Sequence, residues 1–464
     1  MGSDADHAKV RGSGGASLPP AMLAGRLKTA AAGRIVLRVA IGLAAASSLF
    51  GAGCSPRRST PAGTSFTVWS MWSGQEERNF EAVLQRYEQL HPGVHIRNLG
   101  AVADDTKTIR AIVAGVPPDL FTLSDPSYLG PLARDGALTP LDSRFAASGI
   151  KTHDYVPASL RLCMYNGHLY GIPFLIDDEA LLWNKAEFRA AGLNPDRPPQ
   201  TLGELANDAV RLTKRTPAGA IGTLGMRPVS DLYTICALFG GRLADASGRT
   251  ITAADTGNIA ALTWYKRLVD REGGAESVDA FATGFGSDQG GSNPFFTGKV
   301  AMMINGEWNP YWISRYAPSL DYGVAPIPPP AADPQRLGTT WVGGNVFCIP
   351  KESRHPLAAW RFLVWTQSRE AQVMFARRMN NVPNILSVLS DPALRTGAPF
   401  RSRYAIFLNL AAGSQTLCFP PMPVASLYNN QMSNAIERVL LGDLSPTAAL
   451  QGVQTRVQSE LNRS

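Results

Sequence analysis

Residues 66–99 read FTVWSMWSGQEERNFEAVLQRYEQLHPGVHIRNL. The opening run FTVWSMW (66–72) is β-branched and aromatic, the composition of a strand. Ser73 stands at a helix start, and Glu76 three residues on completes a capping box. Phe80, Val83, Leu84, Tyr87 and Leu90 then keep helical spacing. Pro92-Gly93 stops the helix, and VHIRNL is a second strand. DDTKTIRAIVAG (104–115) reads as a helix ending at Gly115, and PPDLFTLSD (117–125) as a strand ending at Asp125. This strand–helix–strand–helix–strand alternation predicts a parallel sheet in an α/β fold. Ligands of such sheets gather at the carboxyl ends of the strands. Here those ends are Trp72-Ser73-Gly74 and Ser124-Asp125.

Outward from that unit, NGHLYGIPFLIDDEALLWNKAEF (166–188) predicts a β-turn and two strands. Helices follow at about 201–214, 230–240 and 255–272. GKVAMMIN (298–305) is a strand leading into four large aromatics, Trp308, Tyr311, Trp312 and Tyr316. Asn309 caps the next helix, with Pro310 in its first position. Trp312 and Tyr316 lie four apart, share a face and read as packing. Trp308 precedes the cap, where a ring can point into a cleft. DYGVAPIPPPA (321–331) is a strand entering a Pro-rich surface loop, and WVGGNVFCIP (341–350) a strand punctuated by Gly343 and Gly344. Helices close the chain at about 355–379, 426–441 and 445–462.

At 464 residues, 45% apolar and 17% charged, the chain has room for two or three domains and a sizeable core. That composition excludes a disordered, collagenous or coiled-coil protein. The amino terminus stands apart. Arg34 and Arg38 precede an uncharged run, Val39 to Gly53, ending in small residues before Cys54. This is a signal peptide pattern over 1–53, with Met22 an alternative start. The run is short for a membrane span, which takes about 20 residues. Residues 54–65 then form a polar tether. With six basic and two acidic residues in 1–53, the remainder holds 38 and 35, a net charge near +3 that gives no reason to expect nucleic acid. Cys163, Cys236, Cys348 and Cys418 remain, widely spaced and without CxxC, so a zinc site is not expected. They allow three complete disulfide pairings, and Cys348, in an apolar run, reads as a buried thiol.

Motifs of covalent chemistry are missing. No GxxxxGK[ST], HExxH, GxSxG or partnered SxxK occurs. His91 and His95 flank the Pro-Gly stop and share no helical face. Asp177 and Asp178 alternate across a strand, so they cannot form a glycosidase pair there. One of the two is expected in a cleft, the other solvated or paired. Asp125 with Asp177 remains a candidate pair. Asp125 could equally cap the following turn.

Taken in order, FTVWSMWSGQEERNFEAVLQRYEQLHPGVHI, IVAGVPPDLFTLSD, NGHLYGIPFLIDDEALLWNKAEFRAAGL, FFTGKVAMMINGEWNPYW and WVGGNVFCIPKESRHPLAAWRFLVW resemble the extracellular solute-binding proteins of ABC importers. The resemblance is to the large family that takes sugars, oligosaccharides and related polyols. The resemblance spans about residues 66–460. It implies a two-lobed periplasmic-binding-protein-like α/β fold, of the Venus flytrap kind, with a hinge and an interlobe cleft. Lobe 1 would hold 66–174 and 304–346, and lobe 2 would hold 175–303 and 347–464. Ligand would close the hinge and an ABC permease would read the closed form, with no catalytic residues, cofactor or metal and a monomeric chain. The small residues before Cys54 resemble a lipobox, departing at Gly51; Cys54 would carry the lipid that anchors the protein outside the cytoplasm. By position, the implied ligand residues are Trp72, Ser73, Gly74, Asp125, Asp177, Asp178, Trp308, Trp341, Gly343, Gly344 and Asn345. Glu307 and Tyr311 lie beside Trp308. Where relatives often carry a basic residue in a late loop, this chain has Val382-Pro383-Asn384. Acidic candidates without a basic cluster point to neutral or amino sugars; Arg227, if it faced the cleft, would favour a glycerophosphodiester. A secreted glycan hydrolase is the other alternative.

Overall fold

A computed structural model describes residues 63–229, 232–245, 247–285, 290–419 and 421–464. The expected signal segment, Cys54 and the tether as far as residue 62 lie outside the described residues. Helix Gly74–Leu90 buries Phe80, Val83, Leu84 and Tyr87, as its spacing predicts. The capping box does not form: Ser73 occupies the cap position without a side-chain hydrogen bond. Gly74 enters with φ +57°, a left-handed conformation that swings Ser73 away from the first amides.

Strand Thr64–Trp69 lies parallel to both Val94–Leu99 and Leu120–Leu123. Beyond them the sheet runs through Thr340–Cys348, Gly171–Asn184, Val300–Gly306, Ile221–Met226 and Lys214–Arg215. The two strands expected in 171–184 are one strand of 14 residues. It pairs antiparallel with Thr340–Cys348 along its first half and with Val300–Gly306 along its second. Tyr322–Ala325 also pairs with its far end. Because strand side chains alternate, Leu181 and Trp183 face one hydrophobic core while Ala180 and Leu182 face the other.

The first core gathers Phe66, Phe80, Phe174, Phe347, Phe362, Phe375 and Tyr404. The second gathers Leu205, Leu224, Leu262, Met302, Tyr428 and Val453. The observed cores divide the chain differently from the expected lobe boundary at 347. Side chains of 347–411 pack into the first core, because Phe362 and Phe375 seat against Phe66 and Phe174 at ring distances of 6.2 and 3.8 Å. Phe419, Met422 and Val424 and the last helices, Ala425–Leu441 and Pro446–Leu461, join the second.

Two further expectations are corrected. The helix expected over 355–379 is two helices, Pro356–Thr366 and Arg369–Met379, because the Ser368 side chain accepts from Ala371 N and starts the second. The Pro-rich stretch is not wholly superficial: Ile327 is buried, and Pro329 O accepts from Leu202 N at 3.0 Å. Among the described residues, no helix is long and apolar enough to cross a membrane. Cys163, Cys236, Cys348 and Cys418 are free thiols, the first three buried.

The seat of Phe375 gives a direct test. Truncation, Phe375→Ala, removes a ring at 3.8 Å from Phe174 and 6.3 Å from Phe80. Denaturant unfolding is expected to show a loss of about 3–5 kcal/mol. A loss under about 1 kcal/mol would place this helix outside the first core.

Candidate functional site

The sheet brings carboxylates from three chain segments together. Asp177 lies opposite Gly343 in the strand register, and Asp178 opposite Val342. Glu307 follows the strand Val300–Gly306, whose Gly306 pairs with Glu179. Asn381 completes the group from a loop held in place by reciprocal backbone hydrogen bonds between Ile176 and Val382, at 2.9 and 3.2 Å. Asn380, in the left-handed conformation at φ +62°, ends the preceding helix and turns the chain towards the strand.

Asn381 Nδ2 donates to Asp177 Oδ1 and to Glu307 Oε1, both at 2.7 Å. The Asp178 backbone N–H donates to Glu307 Oε2 at 3.2 Å. Tyr404, fully buried, donates its hydroxyl to Asn381 O at 2.6 Å and fixes the loop from behind. Glu307 is 0% and Asp178 1% exposed. Neither Asp178 carboxylate oxygen has a hydrogen-bond partner.

Burial pushes the Glu307 and Asp178 carboxyls well up, and neighbouring carboxylates add to the rise. Burial raises Asp177 too, opposed by hydrogen bonds from Glu307 and Asn381. Glu76, on the first helix, is pushed up to about 7 by burial and by the charge of Asp177. Among the described residues no lysine, arginine or histidine ion-pairs with any of these four.

Glu76 also lines a cavity of about 380 Å³ with Ser73, Gln75, Arg78, Trp312, Arg315 and Tyr316. Trp312 and Tyr316 stack at 5.8 Å with planes 18° apart. The helix Asn309–Tyr316 thus presents that pair to a cavity, and Tyr316, 48% exposed, is not held down by packing as expected. The expected cap is displaced as well. Trp308 occupies the cap position, while the Asn309 side chain is buried and donates to Asn305 Oδ1 and Gly306 O.

The remaining candidates scatter. Trp72 is 4% exposed and packs against Phe80 and Phe174 at 4.6 and 5.4 Å, so it belongs to the first core and offers a ligand no face. Asp125 caps the turn Pro126–Tyr128 through Ser127 N at 2.9 Å, the capping role that the sequence also allows it. The Asp178 carboxylate is neither solvated nor paired, contrary to the expectation for the partner of a cleft aspartate. Trp308, half-buried, lies so close over Gly306 that any side chain there would collide with the ring. Tyr311 meets Trp312 and Phe400 edge-on. Trp341 has one face covered by Tyr233, stacked at 4.6 Å. A Cβ on Gly343 would meet open space, whereas Gly344, at φ +119°, sits 2.5 Å by the same measure from Leu175 O and admits no larger residue. Asn345 is buried opposite Leu175. Arg227 directly follows the strand Ile221–Met226, its backbone N–H donating to Met302 O.

Sequence reasoning missed Asn381 and gave Glu76 only a capping role. In the late loop Val382-Pro383-Asn384 the Asn384 side chain is buried and donates to Pro173 O and Gln367 Oε1. The signal lay three residues earlier, in a second polar residue of the same loop. Among the described residues no set of three or more His, Cys, Asp or Glu is arranged to hold a metal ion.

The pH dependence of stability follows from Glu76. Its carboxyl rises from 4.5 to about 7 on folding, so the folded state holds the proton more tightly. Stability is then greatest below the unfolded value and falls as pH rises through the 4.5 to 7 window. Thermal melts across that window should show a declining midpoint whose slope becomes shallower in Glu76→Gln. An unchanged slope in the variant would count against a buried Glu76.

A sequence model of bacterial extracellular solute-binding proteins matches residues 73–373. An ABC transporter extracellular-binding protein of Pyrococcus horikoshii is 22% identical over 339 residues, 70% of this chain and 73% of its own. The maltotriose-binding protein of Pyrococcus abyssi is 23% identical over 333 residues, 71% of this chain and 68% of its own. The solved structure of CpMnBP1 with mannotriose bound superposes with a TM-score of 0.74 at 28% identity, covering 85% of this chain and 100% of that one.

Proposed function

Because the chain belongs to the bacterial extracellular solute-binding proteins, we propose that it captures a carbohydrate in a cleft between two lobes and delivers it to an ABC permease by closing around it. The observation that carries this reading is the Asn381 bridge. One side-chain amide joins Asp177 to Glu307 across three chain segments, and the charge of Asp177 acts on Glu76, which lines a cavity walled by Trp312 and Tyr316. A pyranose has apolar C–H faces and a rim of hydroxyls. Aromatic rings cover the faces, and carboxylates accept from the hydroxyls in charge-assisted hydrogen bonds. Gly343 leaves open space beside Asp177 where a sugar ring would otherwise meet a side chain.

In this reading Asp177, Asn381, Glu76, Ser73, Trp312 and Tyr316 contact ligand, with Trp308 and Tyr311 behind them. Asp178 and Glu307 set the field. The lobes form around the two cores, with 347–411 in the first, and the hinge runs through the strands Gly171–Asn184 and Thr340–Cys348. Ligand shifts the equilibrium only by its differential affinity for the closed form, and no covalent step is required. A phosphodiester would find no ion-pairing cation among Asp177, Asp178, Glu307, Glu76 and Asn381, so a glycerophosphodiester is disfavoured. Family members are binding proteins, and we assign this chain no enzymatic activity. We also assign Cys54 the lipid anchor, on the pattern of residues 34–54, and a monomeric state.

Calorimetry and thermal melts with mannobiose, mannotriose, maltotriose and cellobiose test the proposal. A true ligand at ~100 times its Kd should stabilise the fold by about 2.7 kcal/mol and be recovered unchanged. Asn381→Leu should weaken binding by about 1–3 kcal/mol, since it leaves two carboxylates without their donor. Recovery of a cleaved sugar would sink the binding-protein reading.

A further inference from the structure

The helix Gly74–Leu90 has 17 residues and is roughly 25 Å long, and its first turn lines the candidate carbohydrate cavity. Its other end forms a second cavity, of about 490 Å³, with the helices Asp142–Ala147 and Pro356–Thr366. On the last of these, Leu357, Arg361 and Trp365 stand four residues apart and share one face. Trp360 and Trp365 wall the cavity, and Tyr87 meets Trp365 at a ring distance of 5.3 Å. Leu357, beside them, is 53% exposed.

Two guanidinium groups line this apolar wall. Arg144 Nη1 donates to Pro356 O at 3.1 Å, which ties the two short helices together, and Arg361 is exposed. Among the described residues neither has a carboxylate partner. The acids on the flanking elements are engaged elsewhere. Asp142 accepts from Leu169 N and lies 3.4 Å from His168, Glu88 accepts from Ile96 N, and Glu370 pairs with Arg86. An apolar wall bearing unpaired cations fits a molecule that is anionic at one end and apolar at the other.

The point where the chain enters the fold says what that molecule is. Gly63 packs on the turn that ends the same helix: a Cβ there would lie 2.6 Å from Gly93 O and 3.4 Å from the His95 ring. Thr64 opens the first strand opposite Val94, whose N–H donates to His91 O, and His91 lines the cavity. Residues 54–62 precede Gly63, and nine residues reach at most about 30 Å when fully extended. With the lipid assigned to Cys54, the bilayer lies no farther than that from the entry point. The tether itself is a poor occupant, because it carries Arg57 and Arg58 and no acid.

We propose that this cavity docks the protein on an anionic phospholipid surface, with Arg144 and Arg361 holding a headgroup phosphate and Leu357, Trp360 and Trp365 meeting the glycerol and first acyl carbons. The inference goes beyond carbohydrate capture and rests on the anchor assigned to Cys54. The two cavities lie at opposite ends of one helix, so docking leaves the carbohydrate cavity uncovered.

The test uses residues 63–464, which hold both cores and every described strand, so that neither lipid nor tether contributes. At low salt this chain should sediment with vesicles of phosphatidylglycerol and not with vesicles of phosphatidylcholine, and about 0.5 M salt should release it. Arg361→Glu and Leu357→Glu, both at exposed positions, should each weaken binding about fivefold or more, with melting temperature and sugar affinity unchanged. Arg456→Glu makes the same charge change at an exposed position on the helix Pro446–Leu461 and should cost no more than about twofold. Failure to bind either vesicle, equal binding to both, or an effect of Arg456→Glu as large as that of Arg361→Glu would overturn the docking face. Carbohydrate capture would survive each of these results, because its own calorimetry decides it.

Discussion

The strand Gly171–Asn184 is the element on which the rest of the molecule depends. It is shared between two neighbours, Thr340–Cys348 on its first half and Val300–Gly306 on its second. Its period of two assigns Ala180 and Leu182 to one core and Leu181 and Trp183 to the other. A slip of one residue would exchange these faces and expose both cores. Register is therefore fixed by burial on both sides. Asp177 and Asp178 are carried to the middle of the sheet as a consequence, where water is scarce and like charges are close.

Those charges are held apart from collapse by neutral donors rather than by cations. Asn381 reaches two carboxylates with one amide, and the Ile176–Val382 backbone pair and the Tyr404 hydroxyl keep that amide in place. The arrangement leaves the carboxyls raised and reactive towards any incoming donor. An arginine in the same place would have satisfied them permanently and closed the site to ligands. The departure at the late loop thus has a physical counterpart, because a basic residue is absent and an amide stands near its place.

Much of the fold was legible because it is written in local periodicity. The helix Gly74–Leu90 buries four of the five residues its spacing named, leaving Leu90 exposed at its end, and the parallel order of the first three strands follows from the alternation of elements. What was not legible depended on distant contacts. Nothing local to FLIDDEALL shows that one strand, not two, crosses it; that depends on Thr340–Cys348 and Val300–Gly306 arriving from opposite ends of the chain order. Trp72 reads as a loop aromatic at a strand end, yet Phe80, Phe174 and Phe347 surround it. The candidate site was legible at Asp177 and Glu307, where a carboxylate on an otherwise apolar strand or turn is conspicuous. Asn381 and Glu76 were not, since each is an ordinary polar residue until the sheet brings it beside an aspartate.

The four described thiols carry one more consequence. Cys163, Cys236 and Cys348 sit in apolar surroundings and, with Cys418, form no cross-link. Among the described residues, stability thus comes from packing, register and hydrogen bonding without a covalent cross-link. Such a chain has no pairing problem to solve as it leaves the cytoplasm, needs no oxidant or isomerase to mature, and should keep the same fold whether the medium outside the cell is aerobic or reducing.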